Sequence, residues 1–293
     1  MEKVWLKSYP PGIPAEIDPH EFASIRDILV KSCERFASLP AFTCMDSSLT
    51  FTELDRLSRD FAAWLQDRAG LAKGARVALM MPNALQYPIA LFGVLRAGMV
   101  VVNCNPLYTP RELEHQLNDS GAEAIVILEN FAHTLEQVIA KTGVKTVVTT
   151  QLGDLLRFPK SLVVNLVLKH VKKMVPPWNL PGAVAFKDTL AEGARGKVFE
   201  HPLGHDDLAF LQYTGGTTGI SKGAMLTHGN IVSNLLQSSA WTSRAMADGE
   251  EIVITALPMY HIFALTGNCL SFQKRGAHNV LIVNPRDFPK FIA

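Results

Sequence analysis

With 293 residues, 48% hydrophobic and 19% charged, the chain carries enough apolar mass for a sizeable core, which excludes a disordered or low-complexity polypeptide. Its formal net charge of +1 excludes a broadly basic surface, so no nucleic-acid partner is expected. Cys33, Cys44, Cys104 and Cys269 are scattered and form no Cys-x-x-Cys pair, which excludes a disulfide framework or cysteine zinc site and leaves them as reduced core thiols.

The opening residues mix charges at once and reach Pro10-Pro11-Gly12 without an apolar stretch, so no secretory signal is expected and the chain reads as cytoplasmic. That reading also removes any meaning from the formal glycosylation tripeptide at Asn118. Phe22 to Ala37 places Ile25, Ile28, Leu29, Cys33 and Phe36 at helical spacing, and Pro40 to Thr43 reads as extended. A second helix opens at Thr52 with Leu54, Leu57, Phe61, Trp64 and Leu65 on one face and closes at Gly70 and Gly74. Arg76 to Met81 is then a short buried strand stopped by Pro82-Asn83.

The apolar stretch Ile89 to Val102 is interrupted by Arg96 and Gly98 and is too short to span a bilayer. It reads as a helix, Tyr87 to Leu95, followed by a buried strand, Met99 to Val102. The alternation continues: helix Arg111 to Leu117, strand Ala124 to Leu128, helix Thr134 to Ala140, strand Thr146 to Thr149. Such alternation predicts an α/β fold, a doubly wound, mostly parallel sheet with flanking helices.

Between 151 and 200 the prolines multiply, which reads as a peripheral excursion from the sheet. Within it, 162–175 is a basic amphipathic helix, with Val163, Leu166, Val167, Val171 and Met174 on one face and Asn165, Lys169, Lys172 and Lys173 on the other. Two outcomes are open: the apolar stripe packs on the core, or it lies on an anionic membrane.

Gln212 to Gly223 holds four glycines, three threonines, a serine and a lysine directly behind the apolar run Leu208 to Leu211. Glycines let the backbone approach an anion and turn its N–H groups toward it, and hydroxyls and an ammonium add donors and positive charge. Nucleotide binding follows. Lys222 stands between Ser221 and Gly223 rather than in a Gly-Lys-Ser/Thr closing sequence, so the loop is not that of the P-loop kinases and GTPases. Nor does a Gly-x-Gly-x-x-Gly dinucleotide fingerprint open a helix. Thr227 is a candidate N-cap for the helix that follows.

Tyr213-Thr214-Gly215-Gly216-Thr217-Thr218-Gly219 with Ser221-Lys222-Gly223 resembles the signature of the adenylate-forming superfamily of acyl-CoA synthetases, adenylation domains and luciferases. Leu257-Pro258-Met259-Tyr260-His261-Ile262-Phe263-Ala264-Leu265 resembles the superfamily segment in which an aromatic and a histidine edge the acyl pocket. Met81-Pro82-Asn83, Gln86-Tyr87-Pro88, Arg96-Ala97-Gly98 and Asn105 to Leu113 resemble the bacterial long-chain fatty acid-CoA ligases, over nearly all of the chain.

The resemblance implies that a fatty carboxylate attacks the α-phosphorus of ATP, pyrophosphate leaves, and coenzyme A opens the acyl-adenylate, in the service of fatty acid degradation. It implies nucleotide contacts from Tyr213, Thr214, Gly215, Gly216, Thr217, Thr218, Gly219, Lys222 and Gly223, a Thr214 hydroxyl in the Mg²⁺ shell, catalytic parts for Lys222 and His261, and acyl-chain contacts from His261, Phe263 and Leu265. His261 is expected to position and orient more than to act as a base. The family's later nucleotide- and ribose-gripping segments, hinge and C-terminal lysine do not occur in these residues, so 1–293 is expected to be a truncated N-terminal AMP-binding domain of little activity alone. A fatty acyl-AMP ligase and a non-catalytic acyl- or nucleotide-binding module stay open as alternatives, as does a homodimer. A membrane-facing 162–175 would place the protein on the inner face of the cytoplasmic membrane.

Overall fold

The computed structural model describes residues 3–214 and 221–287. The first helix, α1 (Ile25–Arg35), starts where the Ser24 side chain accepts the Asp27 N–H. A hairpin of β1 (Pro40–Cys44) and β2 (Ser47–Thr50) leads into α2 (Phe51–Asp67), which is closed at its start by a reciprocal capping box between Thr50 and Glu53.

Strand β3 (Arg76–Met80), helix α3 (Gln86–Arg96), strand β4 (Val100–Asn103), helix α4 (Pro110–Ser120) and strand β5 (Ala122–Leu128) follow in strict alternation. Helix α4 has Pro110 in its first turn, a second capping box between Thr109 and Glu112, and a left-handed Gly121 at its end. After α5 (Ala132–Glu136) and β6 (Thr146–Thr150) come α6 (Lys160–Leu166), β7 (Val184–Ala185) and α7 (Phe186–Gly193). Strands β8 (Leu208–Thr214) and β9 (Lys222–Thr227) precede α8 (His228–Thr242), whose N-cap is Thr227, boxed with Asn230. Strands β10 (Ile252–Thr255) and β11 (His278–Leu281) close the order.

Among the described residues the strands form a seven-stranded sheet, β7-β6-β5-β3-β4-β8-β9, and a four-stranded sheet, β10-β11-β1-β2. The larger sheet is parallel except for the β8–β9 pair. Alternate residues of β3 face opposite cores. Val77 and Leu79 join the larger cluster with Phe61, Phe92 and Phe186, and Ala78 and Met80 join a second one with Leu113, Leu117 and Leu135. The α/β, doubly wound arrangement expected from alternation is therefore the one formed, with a second sheet beside it.

Helices α2, α3 and α7 pack closely on one face. A Cβ at Gly193 would lie 1.8 Å from the Asp60 carbonyl oxygen, so only glycine lets α7 approach α2 this far. Phe61 and Phe186 meet across that contact with ring centroids 5.0 Å apart. Arg96, 2% exposed, donates to Asp55 at 2.5 Å and ties α3 to α2.

Residues 151–200 are less peripheral than their prolines suggest. They return to the sheet at β7, which pairs parallel to β6, and they supply α7 with its wholly buried Phe186. The basic segment runs as α6 and a π-helical turn, Val167–Val171. Its expected polar face is partly wrong. Asn165 turns inward, accepts the Gly153 N–H at 2.7 Å and donates to Asp154 at 3.4 Å, because its amide satisfies the preceding turn. Leu162, Val163, Leu166, Val171 and Met174 are instead exposed, and Val164 is the residue that packs against the core.

Candidate nucleotide and acyl site

In an open α/β sheet, ligands are received at the carboxyl ends of the strands where the strand order reverses. Here the chain runs from β3 to β4 on one side, returns to β5 on the other side of β3, and later places β8 beside β4. The carboxyl ends of β3, β4 and β8 carry Asn83, Asn103 and Gln212, each at most 5% exposed. Buried amides at three adjoining strand ends mark the place.

Strands β8 and β9 form an antiparallel hairpin in which Thr214 stands opposite Lys222 and Tyr213 opposite Gly223. Both Thr214 and Lys222 are exposed at its mouth. Gly215, Gly216, Thr217, Thr218 and Gly219 lie outside the described residues. A Cβ at Gly223 would come within 2.9 Å of the Tyr213 ring, so the glycine is a seat for that ring.

Helix α4 holds both arms of the hairpin. Tyr213 donates its hydroxyl proton to Asp119 at 2.5 Å, and His115 Nε2 donates to the Ser221 carbonyl at 3.1 Å. Positions 115 and 119 are one turn apart, so one helix face reaches both strands. Partial burial, and then the Asp119 carboxylate, push the Tyr213 hydroxyl well above the ordinary phenol range, so it stays a donor.

The histidine segment leaves the end of β10 and crosses toward β8. Asn83 wraps it, donating to the carbonyls of Thr255 and Leu257, both at 2.9 Å, and accepting the Met259 N–H at 2.8 Å. Gln212 Nε2 donates to the Tyr260 carbonyl at 2.9 Å. The residue before His261 is thereby tied to a residue two before Thr214. His261 is exposed and caps the helical run behind it, accepting the Phe263 N–H at 3.5 Å.

Of the three residues read as acyl-chain contacts, His261 is exposed and Phe263 is 64% exposed, whereas Leu265 is wholly buried in the main core. The helical run turns position 265 inward, and Leu265 packs in the main core. Burial raises the Tyr260 hydroxyl above the usual phenol range.

A nucleotide fits this donor set. The exposed Lys222 ammonium and Thr214 hydroxyl belong to residues that stand opposite each other at the end of the hairpin. Magnesium fits only as the nucleotide's companion: among the described residues no group of three or more His, Cys, Asp or Glu could hold a metal, and Thr214 supplies a single oxygen.

Pattern reading missed Asn103, His115 and Asp119. The signal available was a polar amide ending each apolar strand, at Asn103 after Val100–Val102 and at Gln212 after Leu208–Leu211.

The sequence profile of the AMP-binding enzyme family matches residues 29–293. The chain belongs to that family. It is 56% identical over 292 residues to a long-chain-fatty-acid–CoA ligase of Escherichia coli, a match covering 100% of this chain and 52% of that protein. It is 34% identical over 292 residues to one from Bacillus subtilis, covering 99% and 50%. The chain thus spans about half the length of the curated relatives it matches.

Among solved structures, a long-chain-fatty-acid-CoA ligase from Archaeoglobus fulgidus superposes with TM-score 0.74 at 25% identity, covering 94% of this chain and 50% of that one. An anthranilate CoA ligase in complex with anthranoyl-AMP gives 0.75 at 18%, covering 92% and 47%, and speaks to the fold alone. This member of the AMP-binding family therefore shares the fold of the adenylate-forming acyl-CoA ligases over about half their length.

Proposed function

We propose that this chain takes part in ATP-dependent activation of a long-chain fatty acid, forming an acyl-adenylate that coenzyme A then opens to the thioester. One observation carries the reading: Thr214 and Lys222 face each other at a hairpin mouth whose strand is hydrogen-bonded, through Gln212, to the backbone next to His261. Nucleotide and carboxylate sites would then adjoin.

Carboxylate and triphosphate repel, so the first half-reaction needs fixed positive charge and donors where the polyphosphate lies. Lys222 supplies an ammonium there, and Thr214 a hydroxyl. His261, on a loop clamped at Tyr260 and Met259, orients the fatty carboxylate for attack on the α-phosphorus, and Phe263 offers its exposed ring to the alkyl chain. Mg²⁺, when bound with the nucleotide, would offset phosphate charge, with the Thr214 hydroxyl near it.

Residues 1–293 alone are expected to bind ATP and fatty acid while turning over weakly. Pyrophosphate release and thioester formation with palmitate, ATP and coenzyme A test the reaction. Thioester formed without an acyl-adenylate contradicts it, as does a protein that binds neither ATP nor fatty acid.

Within the same reading, the exposed residues Leu162, Val163, Leu166, Val171 and Met174 beside Lys169, Lys172 and Lys173 form a surface for an anionic bilayer from which a lipid-dissolved substrate is drawn. Contact there would put the protein on the inner face of the cytoplasmic membrane. No helix of the described residues is long and apolar enough to cross a membrane.

A further inference from the structure

Three buried side chains, Tyr87, Asn103 and Gln212, make one directed hydrogen-bond chain. Tyr87, wholly buried on α3, shares its single proton between Asn103 Oδ1 at 2.7 Å and the Met259 carbonyl at 2.8 Å. Asn103 Nδ2 donates to Gln212 Oε1 at 3.1 Å, and Gln212 Nε2 donates to the Tyr260 carbonyl at 2.9 Å.

The ends of the chain set its direction. A backbone carbonyl only accepts, so Gln212 must turn its NH₂ to Tyr260 and its oxygen to Asn103, which in turn leaves the Asn103 oxygen for the tyrosine proton. Asn103 and Gln212 are also register partners on adjoining parallel strands. Asn83 adds its three bonds to the same 255–259 backbone, and Gln116 of α4 donates to the Asn103 carbonyl at 2.8 Å. Helix α4 is the element that also grips both arms of the hairpin.

Ordinary packing of the 257–261 segment would need none of this. Satisfied amides in a low-dielectric interior specify a single geometry, and a half-satisfied set is costly, so such a network transmits displacement rather than absorbing it. We propose that Tyr87, Asn103 and Gln212, with Asn83, are positioning residues that lock the His261 segment to the strand entering the nucleotide loop, so that nucleotide bound at Thr214 and Lys222 sets the position of His261. The functional half of this proposal rests on the nucleotide reading given above.

Amide hydrogen exchange separates the two halves. In Tyr87→Phe and Gln212→Met, amides of residues 257–261 and of 208–214 are expected to exchange about tenfold faster than in the wild-type chain, although the two segments are distant in sequence. Phe186→Leu, on the far side of α2, serves as a control at matched loss of thermal stability. Acceleration confined to the substituted element, or equal in the control, overturns the lock.

Magnesium and ATP are then added. The wild-type chain is expected to gain protection at residues 257–261, and Gln212→Met to lose that gain while keeping its ATP affinity within about threefold, since the Gln212 amide is committed to Asn103 and Tyr260. Protection that persists in Gln212→Met overturns the coupling. A wild-type chain that binds no ATP overturns the nucleotide reading itself, a result calorimetry reports independently of exchange.

Discussion

Lys222 and Gly223 carry the residue-scale tests of the proposed nucleotide site. Removing the ammonium in Lys222→Ala should weaken ATP binding by about tenfold, since charge-assisted contacts to phosphate are worth roughly 1.5–3 kcal/mol and solvent screens an exposed one. Gly223→Val should cost about 1–3 kcal/mol and disturb binding as well, because its side chain meets the Tyr213 ring that Asp119 holds in place. Calorimetric titration and thermal melts distinguish the two: the lysine variant should lose affinity with its melting temperature kept, and the valine variant should lose both.

His228 carries a separate residue-scale prediction. Burial holds its imidazole down at about 4, with Asp207 and Asp27 opposing that shift and Arg26 and Lys73 adding to it, and its Nδ1 accepts the Ile25 N–H at 3.2 Å. The unfolded chain, with an ordinary histidine near 6.5, binds more protons than the folded one between pH 6.5 and 4. Stability is therefore present above that window and lost as pH falls through it. His228→Gln should remove on the order of 3 kcal/mol of the acid-linked loss in urea denaturation compared at pH 7 and pH 4.

At the scale of elements, what could be read in advance was whatever depends on local pattern. Thr227 capping α8 and the α3-to-β4 step at Gly98 follow from spacing and punctuation, and they formed as expected. What could not be read depends on partners distant in sequence. The β8–β9 hairpin hides behind a glycine-rich stretch, α4's grip on it joins residues 106 and 94 positions apart, and Leu265 looks no different from a pocket residue until its helix turns it inward.

Helix α4 depends on its capping box, so Thr109→Ala should cost about 1 kcal/mol and loosen the hairpin with it, measurable as faster exchange at 213 and 222. For α6 and its π turn, joint charge reversal of Lys169, Lys172 and Lys173 should weaken sedimentation with anionic liposomes at least ~100-fold, at about 1 kcal/mol per lysine. Unchanged sedimentation removes the membrane surface.

On the scale of the molecule, alternating helix and strand sufficed for a doubly wound sheet, because a parallel sheet needs a crossover between neighbours and a helix is the usual one. The second sheet was not legible. Strand β1 pairs with β11, Phe42 standing opposite Asn279, and nothing local in Pro40 to Cys44 names that partner. Yet that sheet brings the His261 segment to the carboxyl ends of β3, β4 and β8, where Asn83 and Gln212 hold it, so the proposed site lies where the two sheets meet.

Calorimetric titration of magnesium and ATP into residues 1–293, compared with Thr214→Ala and Lys222→Ala, tests this placement most directly. A saturable site in the wild-type chain, weakened about tenfold or more by Lys222→Ala and less by Thr214→Ala, is the predicted result. No binding by the wild-type chain, or equal affinity in all three proteins, would contradict a nucleotide site at the mouth of the β8–β9 hairpin.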